Sequence, residues 1–176
     1  MNATINFTAN LLMIGSWHLL RLPKNASAKL PSRGMNMAEG TINGFRFQGP
    51  LEPDGEGGHW LRVDHAMREA TDGEVGATMT LAIEAAKQWP EPQVPPDLEK
   101  ALVTNQRTQE LWLNITTKAR WEWIRWIRST QNPETRKIRI EKACSMLHAG
   151  KRRPCCFNSS LCTEPSVSKN GVLLVQ

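Results

Sequence analysis

Between residues 89 and 96 the chain reads WPEPQVPP, four prolines in eight positions. Each proline fixes φ and removes a backbone donor, so neither a helix nor the middle of a sheet can run through this stretch. Whatever the chain builds, it builds on two sides of this break. The hydrophobic period changes across it, from alternation before to a helical repeat after. The expected organisation is a strand-rich domain over residues 1–88, a semi-rigid linker over 89–96, a helical segment over 97–150 and a turn-rich, cysteine-containing tail over 151–176.

The first half is a series of short strands. Ile5, Phe7, Ala9, Leu11 and Met13 fall on one face of TINFTANLLM, as in a half-buried strand. SWHLLRLP reads as a second strand, ending at Pro23. The firmest local signal is Asn43-Gly44, the preferred pair for a two-residue type I′ hairpin, whose central positions both need positive φ. That turn fixes the register: Ile42 opposite Phe45 and Gly40 opposite Phe47, with Thr41–Arg46 and Glu39–Gln48 on the other face. Small Ala38 and Gly40 beside Phe45 and Phe47 suit a tightly curved barrel. PDGEGG reads as a solvated loop, HWLRV as a strand, HAMREAT as a helical turn or two, and ATMTLAIEA as a further strand. Short strands with tight turns favour a small antiparallel barrel over a sandwich.

The second half is helical. Pro96-Asp97 opens one helix, Thr108 another, Thr116 or Thr117 a third, and Asn132-Pro133 a fourth that stops at Gly150. Val172–Val175 reads as a final strand. With seven tryptophans and no tyrosine, Trp carries most of the large aromatic packing. Three of the seven sit in RWEWIRWIRST, residues 120–130. At 100° per residue Trp123, Ile124 and Ile127 share an apolar arc with Trp121 and Trp126 at its flanks, while Glu122, Arg125 and Ser129 lie opposite. These tryptophans are core rather than a base-stacking or membrane-facing display, and packing on the barrel is the expected use.

Residues 107–153 hold twelve Lys/Arg against four Asp/Glu within a net charge of +5, so the rest of the chain is mildly acidic. A basic half suits an anionic partner or a solvated helix face. Arg136 is the sharper feature, because it lies on the apolar side of the last helix, in its first turn. A cation there opposes the helix dipole and needs a carboxylate or an anionic ligand. Arg136, with Arg139 one turn on and Arg125 on the polar side of the tryptophan helix, is therefore the candidate ligand-binding set. Cys155, Cys156 and Cys162 in KRRPCCFNSSLC are candidate redox or metal positions, with His148 as a further metal ligand. Adjacent cysteines project in different directions, and the pattern has no paired CxxC spacing. No P-loop, GxGxxG, HExxH or GxSxG pattern occurs, so no catalytic residue, metal or cofactor is expected. The N-terminus lacks the basic start and apolar block of a secretory signal, and no run reaches membrane-spanning length. The expectation is a cytoplasmic protein with reduced thiols and no membrane insertion.

WHLLRLP, GTINGFRFQGPLEPDGEGGHWLRV and REATDGEVGATMTLAI resemble a bacterial domain of unknown function, the small barrel found before bacteriocin-protection segments. VPPDLEKAL, TTKARWEWIRWI and PETRKIRIEKACSMLHAGKRRP resemble the YdeI/OmpD-associated, bacteriocin-protection helical segment, whose eTRxxRI element stands here as Glu134, Thr135, Arg136, Arg139 and Ile140. The family barrel carries Gly-Asp before its last strand, where this chain has Gly76-Ala77. The resemblance implies an α+β protein: a small antiparallel barrel of the double-split type, related in shape to AbrB-like DNA-binding barrels, followed by a helical segment packed on it. It implies a setting in antimicrobial stress and brings no catalytic residues. The expected function is non-enzymatic binding of an anionic or small-molecule ligand. A nucleic-acid-binding module using the basic segment and a thiol-based redox protein are the alternatives.

Overall fold

Alternation in the first half becomes a seven-stranded antiparallel sheet, and the helical repeat in the second becomes four packed helices. The computed structural model describes residues 3–155 and 157–174. It divides into two compact units. The first runs through Lys87 and takes back Ser159–Cys162 and the chain from Ser166 onward; the second is Gln88–Asn158 with Thr163–Pro165.

In the first unit the strands are β1 (Ile5–Asn10), β2 (Leu12–Ile14), β3 (Trp17–Arg21), β4 (Asn36–Ile42), β5 (Phe45–Pro53), β6 (His59–Arg62) and β7 (Thr78–Ala85). Two short helices, α1 (Lys24–Ser27) and α2 (His65–Thr71), interrupt them; only α2 was foreseen. The sheet order is β1-β7-β4-β5-β6-β3-β2. Its two end strands, β1 and β2, are separated by Leu11 alone, so the sheet returns to the run of chain it started from. Leu11 continues the pairing, donating its N–H to Ala77 O and accepting that of Gly76, both at 2.8 Å. Closing a sheet through a shared strand removes the long open edges that invite aggregation. The Asn43-Gly44 turn sets the register foreseen from sequence, Ile42–Phe45, Thr41–Arg46, Gly40–Phe47 and Glu39–Gln48. Both turn residues have the positive φ that this hairpin needs. Ile5, Phe7, Leu20, Ile42, Leu51, Leu61, Leu81 and Ile83 fill the interior.

In the second unit, α3 (Pro96–Val103), α4 (Gln106–Asn114), α5 (Thr117–Arg128) and α6 (Pro133–His148) follow one another. Thr116 caps α5 through Ala119 N–H, and Asn132 caps α6 through Glu134 and Thr135 N–H. α4 begins two residues before Thr108, because Asn105 accepts from Arg107 and Thr108 N–H and so nucleates the helix earlier. Trp123 and Ile127 are fully buried and Ile124 nearly so, as the apolar arc requires. Their partners are Leu98, Leu102, Trp112, Ile115, Ile140 and Leu147, so this unit has a hydrophobic cluster of its own.

The tail ends in a two-stranded ribbon, β8 (Ser168–Lys169) and β9 (Val172–Leu173), turned at Asn170-Gly171. Of the expected final strand, Val175 lies outside the described residues.

Candidate functional site

A groove of about 570 Å³ lies on the polar face of β4, β5 and β7. Sheet register builds it. Glu39 stands opposite Gln48 on one side and Glu84 on the other, and Thr41 stands opposite Arg46 and Ala82. Two neighbouring rows of side chains therefore line one face, with Thr4 at the end beside Glu84. At Gly40 the backbone of β7 comes so close that a Cβ would run into the Ala82 carbonyl. Only glycine allows that approach. Glu39 and Glu84 are directly opposed like charges, an arrangement that by itself weakens a strand pair. Arg46 is the one cation among the lining residues.

The candidate arginines are all engaged within the helical unit. Arg136 donates through Nε (2.6 Å) and Nη2 (3.0 Å) to the two carboxylate oxygens of Asp97, a two-pronged pair. The Arg136 guanidinium holds the Asp97 carboxyl below the usual carboxylate range, chiefly through these hydrogen bonds. Of the two fates open to Arg136, an internal carboxylate or a ligand anion, the geometry supplies the carboxylate. Arg139 closes the end of α5, donating to Trp126 O at 2.8 Å and to Ser129 Oγ. Arg125 departs most from expectation. The helix wheel placed it on a solvated face, yet it is 0% exposed. Its Nη1 donates to Glu122 Oε1 at 3.1 Å, and its guanidinium lies 5.5 Å from the centre of the Phe157 ring. The reason is that past its first turn α5 is covered on its polar side too: Arg120, Glu122 and Arg125 are buried along with its apolar residues.

Sequence reasoning passed over Arg120 and Glu91. Arg120 donates to both Glu91 carboxylate oxygens, at 2.9 and 2.6 Å, and to the Trp112 and Ile115 carbonyls. Trp121 Nε1 donates to Pro90 O at 2.8 Å, so the proline-rich stretch is pinned along α5. Arginine four residues after a helix-capping Thr116 was the available signal.

The glycine-rich loop is not a solvated turn. Asp54 is 2% exposed. Burial pushes its pKa up, but the N–H groups of Glu56 (2.7 Å) and Gly58 (2.9 Å) and the Arg21 guanidinium (3.0 Å) outweigh this, so the net shift is downward. The flanking glycines let the loop curl around one carboxylate, an Asx-type turn.

His59, next in the chain, is buried at one end of the barrel. Asn36 gives its two amide hydrogens to Ser32 O (2.9 Å) and Gly34 O (3.0 Å). The 2.9 Å contact of His59 Nε2 with Gly34 O is then an N–H donation, which leaves Nδ1 unprotonated. Nδ1 meets no partner among the described residues. Burial, the largest influence, lowers the His59 pKa, although Gly34 and the nearby Asp54 and Glu52 charges pull it up. The folded protein thus holds fewer protons here than the unfolded chain, and stability should rise with pH in this window. We expect stability to fall as pH drops below about 6.5, the ordinary histidine value, until the lowered folded pKa is passed. Chemical denaturation from pH 7.5 to 5 checks this, with His59→Gln as the control that should flatten the slope.

Cys155 is exposed, Cys144 half-buried and Cys162 buried, and Cys156 lies outside the described residues. Burial pushes the Cys144 thiol up. Among the described residues no group of three His, Cys, Asp or Glu side chains could hold a metal. His148 Nε2 instead contacts Thr108 Oγ1 at 2.6 Å. No helix among the described residues is long and apolar enough to cross a membrane.

Residues 91–150 match the family described as bacteriocin-protection, YdeI or OmpD-associated. The helical unit is thus similar to that family over residues 91–150. Residues 3–83, the barrel strands, match a domain of unknown function, DUF1905. Between them the two matches take in every candidate arginine and the groove's lining residues apart from Glu84, which follows the first match directly, and leave the tail unmatched. No curated protein matches the chain.

Proposed function

We propose that the chain is a non-catalytic binding protein, acting in the protection against antimicrobial stress that the matched family's name describes, and that its ligand is a small molecule held in the barrel groove through a cationic group. The observation that carries this is the groove itself. Its volume lies within the range of small-molecule sites, and a few polar groups converge in it. Two carboxylates, Glu39 and Glu84, face each other across β4 and β7 with a single guanidinium, Arg46, one row away. An ammonium or guanidinium placed between the carboxylates relieves their repulsion and gains two charge-assisted hydrogen bonds. The anionic alternative draws less support, because the guanidinium groups of Arg125, Arg136 and Arg139 already have protein partners.

The test is amide chemical-shift mapping with spermine as the cationic probe and inorganic phosphate as the anionic one. Spermine should move Glu39, Gln48 and Glu84 amides, and Glu84→Gln should weaken it by about tenfold, or 1.4 kcal/mol. The same substitution removes a like-charge pair, so the unliganded fold should be as stable as before or more so. A response to phosphate centred on residues 118–153, with none to spermine, would overturn this reading and favour the basic segment.

A further inference from the structure

β3 is apolar on both faces. Leu20 points into the barrel and Leu19 away from it, yet both are fully buried. On the outer side Leu19 joins Ile14 and Trp60, with Leu12 and Trp17 packed alongside. Trp17 and Trp60 meet edge to face, with ring centres 6.4 Å apart. A barrel built from the matched strands alone would present this patch to water. The C-terminal tail covers it, since Cys162, Val167 and Leu173 complete the cluster. A backbone contact ties the tail to the barrel, Leu173 N–H donating to Asp54 O at 2.9 Å, while Cys162 N–H donates to Gly171 O at 2.8 Å within the tail and holds its two arms together. Gly55 lies so close to the ribbon that a Cβ there would run into the Gly171 carbonyl.

The cover fits the apolar part of the patch and leaves the polar part unanswered. Trp60 is 2% exposed, and its indole N–H meets no acceptor among the described residues. A buried donor without an acceptor is a standing cost to the closed state. An occupant with the same apolar side chains and one well-placed oxygen would remove that cost.

We propose that the outer face of β2, β3 and β6 is a peptide-docking surface held in cis by the tail. The partner it fits is an extended apolar segment of another protein that offers an oxygen to Trp60 Nε1. The tail supplies the template for that partner: apolar groups in the places of Cys162, Val167 and Leu173, and a backbone N–H for Asp54 O. Extended segments are recognised in this way, with main-chain hydrogen bonds giving affinity and side-chain pockets giving specificity. This surface is separate from the groove, and either reading can fail without the other.

The test uses the full chain and two labelled synthetic peptides of residues 159–176, each with its cysteine replaced by alanine and the second also carrying Val167→Thr. Threonine keeps valine's shape and adds an oxygen. In the protein, the Cys162 and Leu173 amides should exchange with deuterium at least tenfold faster than those of Leu20 and Leu61. The Val167→Thr peptide should bind at least tenfold more tightly than the other, and Trp60→Phe, which deletes the N–H and keeps a ring, should abolish that preference. Gly55→Ala, which dislodges the ribbon, should raise the affinity for both peptides. The proposal is overturned if the tail amides exchange only as slowly as Leu20 and Leu61, if neither peptide binds even to a folded Gly55→Ala protein, or if the preference survives in Trp60→Phe.

Discussion

Arg125→Leu is expected to destabilise the helical unit by roughly 3 to 5 kcal/mol, the usual cost of breaking a buried ion pair from one side. Arg125 is 0% exposed and its partner Glu122 6%. Removing the guanidinium leaves the Glu122 carboxylate in the interior of the unit without the cation 3.1 Å away. The loss comes from that stranded charge more than from the pair's own attraction, which the desolvation of both groups largely offsets. The double variant Glu122→Met/Arg125→Leu should therefore recover most of the stability, because two apolar side chains replace two charges. Hydrogen exchange of α5 amides is the suitable readout, since a two-unit chain need not unfold in one step. A double variant as unstable as the single one would show that Arg125 is needed for its other contacts, such as the Phe157 ring, and not for neutralising Glu122. Charge reversal at this position should likewise appear as a folding defect, whatever the chain binds.

What could be read in the sequence followed the range of the interactions involved. The Asn43-Gly44 hairpin was legible to the residue because turn stereochemistry and a period of two act over a few neighbours. Thr116 and Asn132 as caps, and Trp123 and Ile127 as core, were legible for the same reason. Arg125 was misread because a helix wheel reports which residues share a side, not how many sides are covered. Its burial depends on cover that the helix's own sequence does not encode. Arg136 was legible as a cation in need of an anion, but the identity of that anion, Asp97 at the start of α3, is a matter of tertiary packing. Asp54 was passed over because glycine-rich loops are mostly solvated; this one uses its glycines to wrap a carboxylate. The groove could not be found by motif at all. Glu39 and Glu84 are 45 positions apart in the sequence and become neighbours only when β7 pairs with β4.

The buried arginines also bear on what the positive charge of the second half can do. Residues 107–153 looked like a surface for phosphates when counted as charges. Arg120 serves Glu91 and the carbonyls at the end of α4, Arg125 serves Glu122, Arg136 serves Asp97, and Arg139 serves the last carbonyls of α5. A guanidinium that satisfies carbonyls and a carboxylate at once is a structural clamp, a use to which its planar fork is suited. Much of the local +8 is therefore a consequence of how four helices are tied together.

Trp123→Ala should cost roughly 3 to 5 kcal/mol, as large aromatic truncations in packed interiors do. The ring is 0% exposed and stands at the centre of the helical cluster. It meets Trp126 edge to face at 6.0 Å, and its indole N–H donates to Arg152 O at 3.0 Å, so the substitution removes buried packing and a hydrogen bond together. Trp121, two residues earlier, is the internal control. It is only partly buried, and its N–H reaches the exposed Pro90 carbonyl, which water can serve instead. Trp121→Ala should cost about 1 kcal/mol, the net worth of one such hydrogen bond with modest burial. Chemical denaturation followed at α5 separates the two. Equal losses would mean that the proline-rich stretch, held down by Trp121 and by Arg120 with Glu91, contributes as much to the unit as its hydrophobic centre. The threefold or greater difference expected here places the weight on the apolar arc of α5, where the spacing of Trp123, Ile124 and Ile127 first put it.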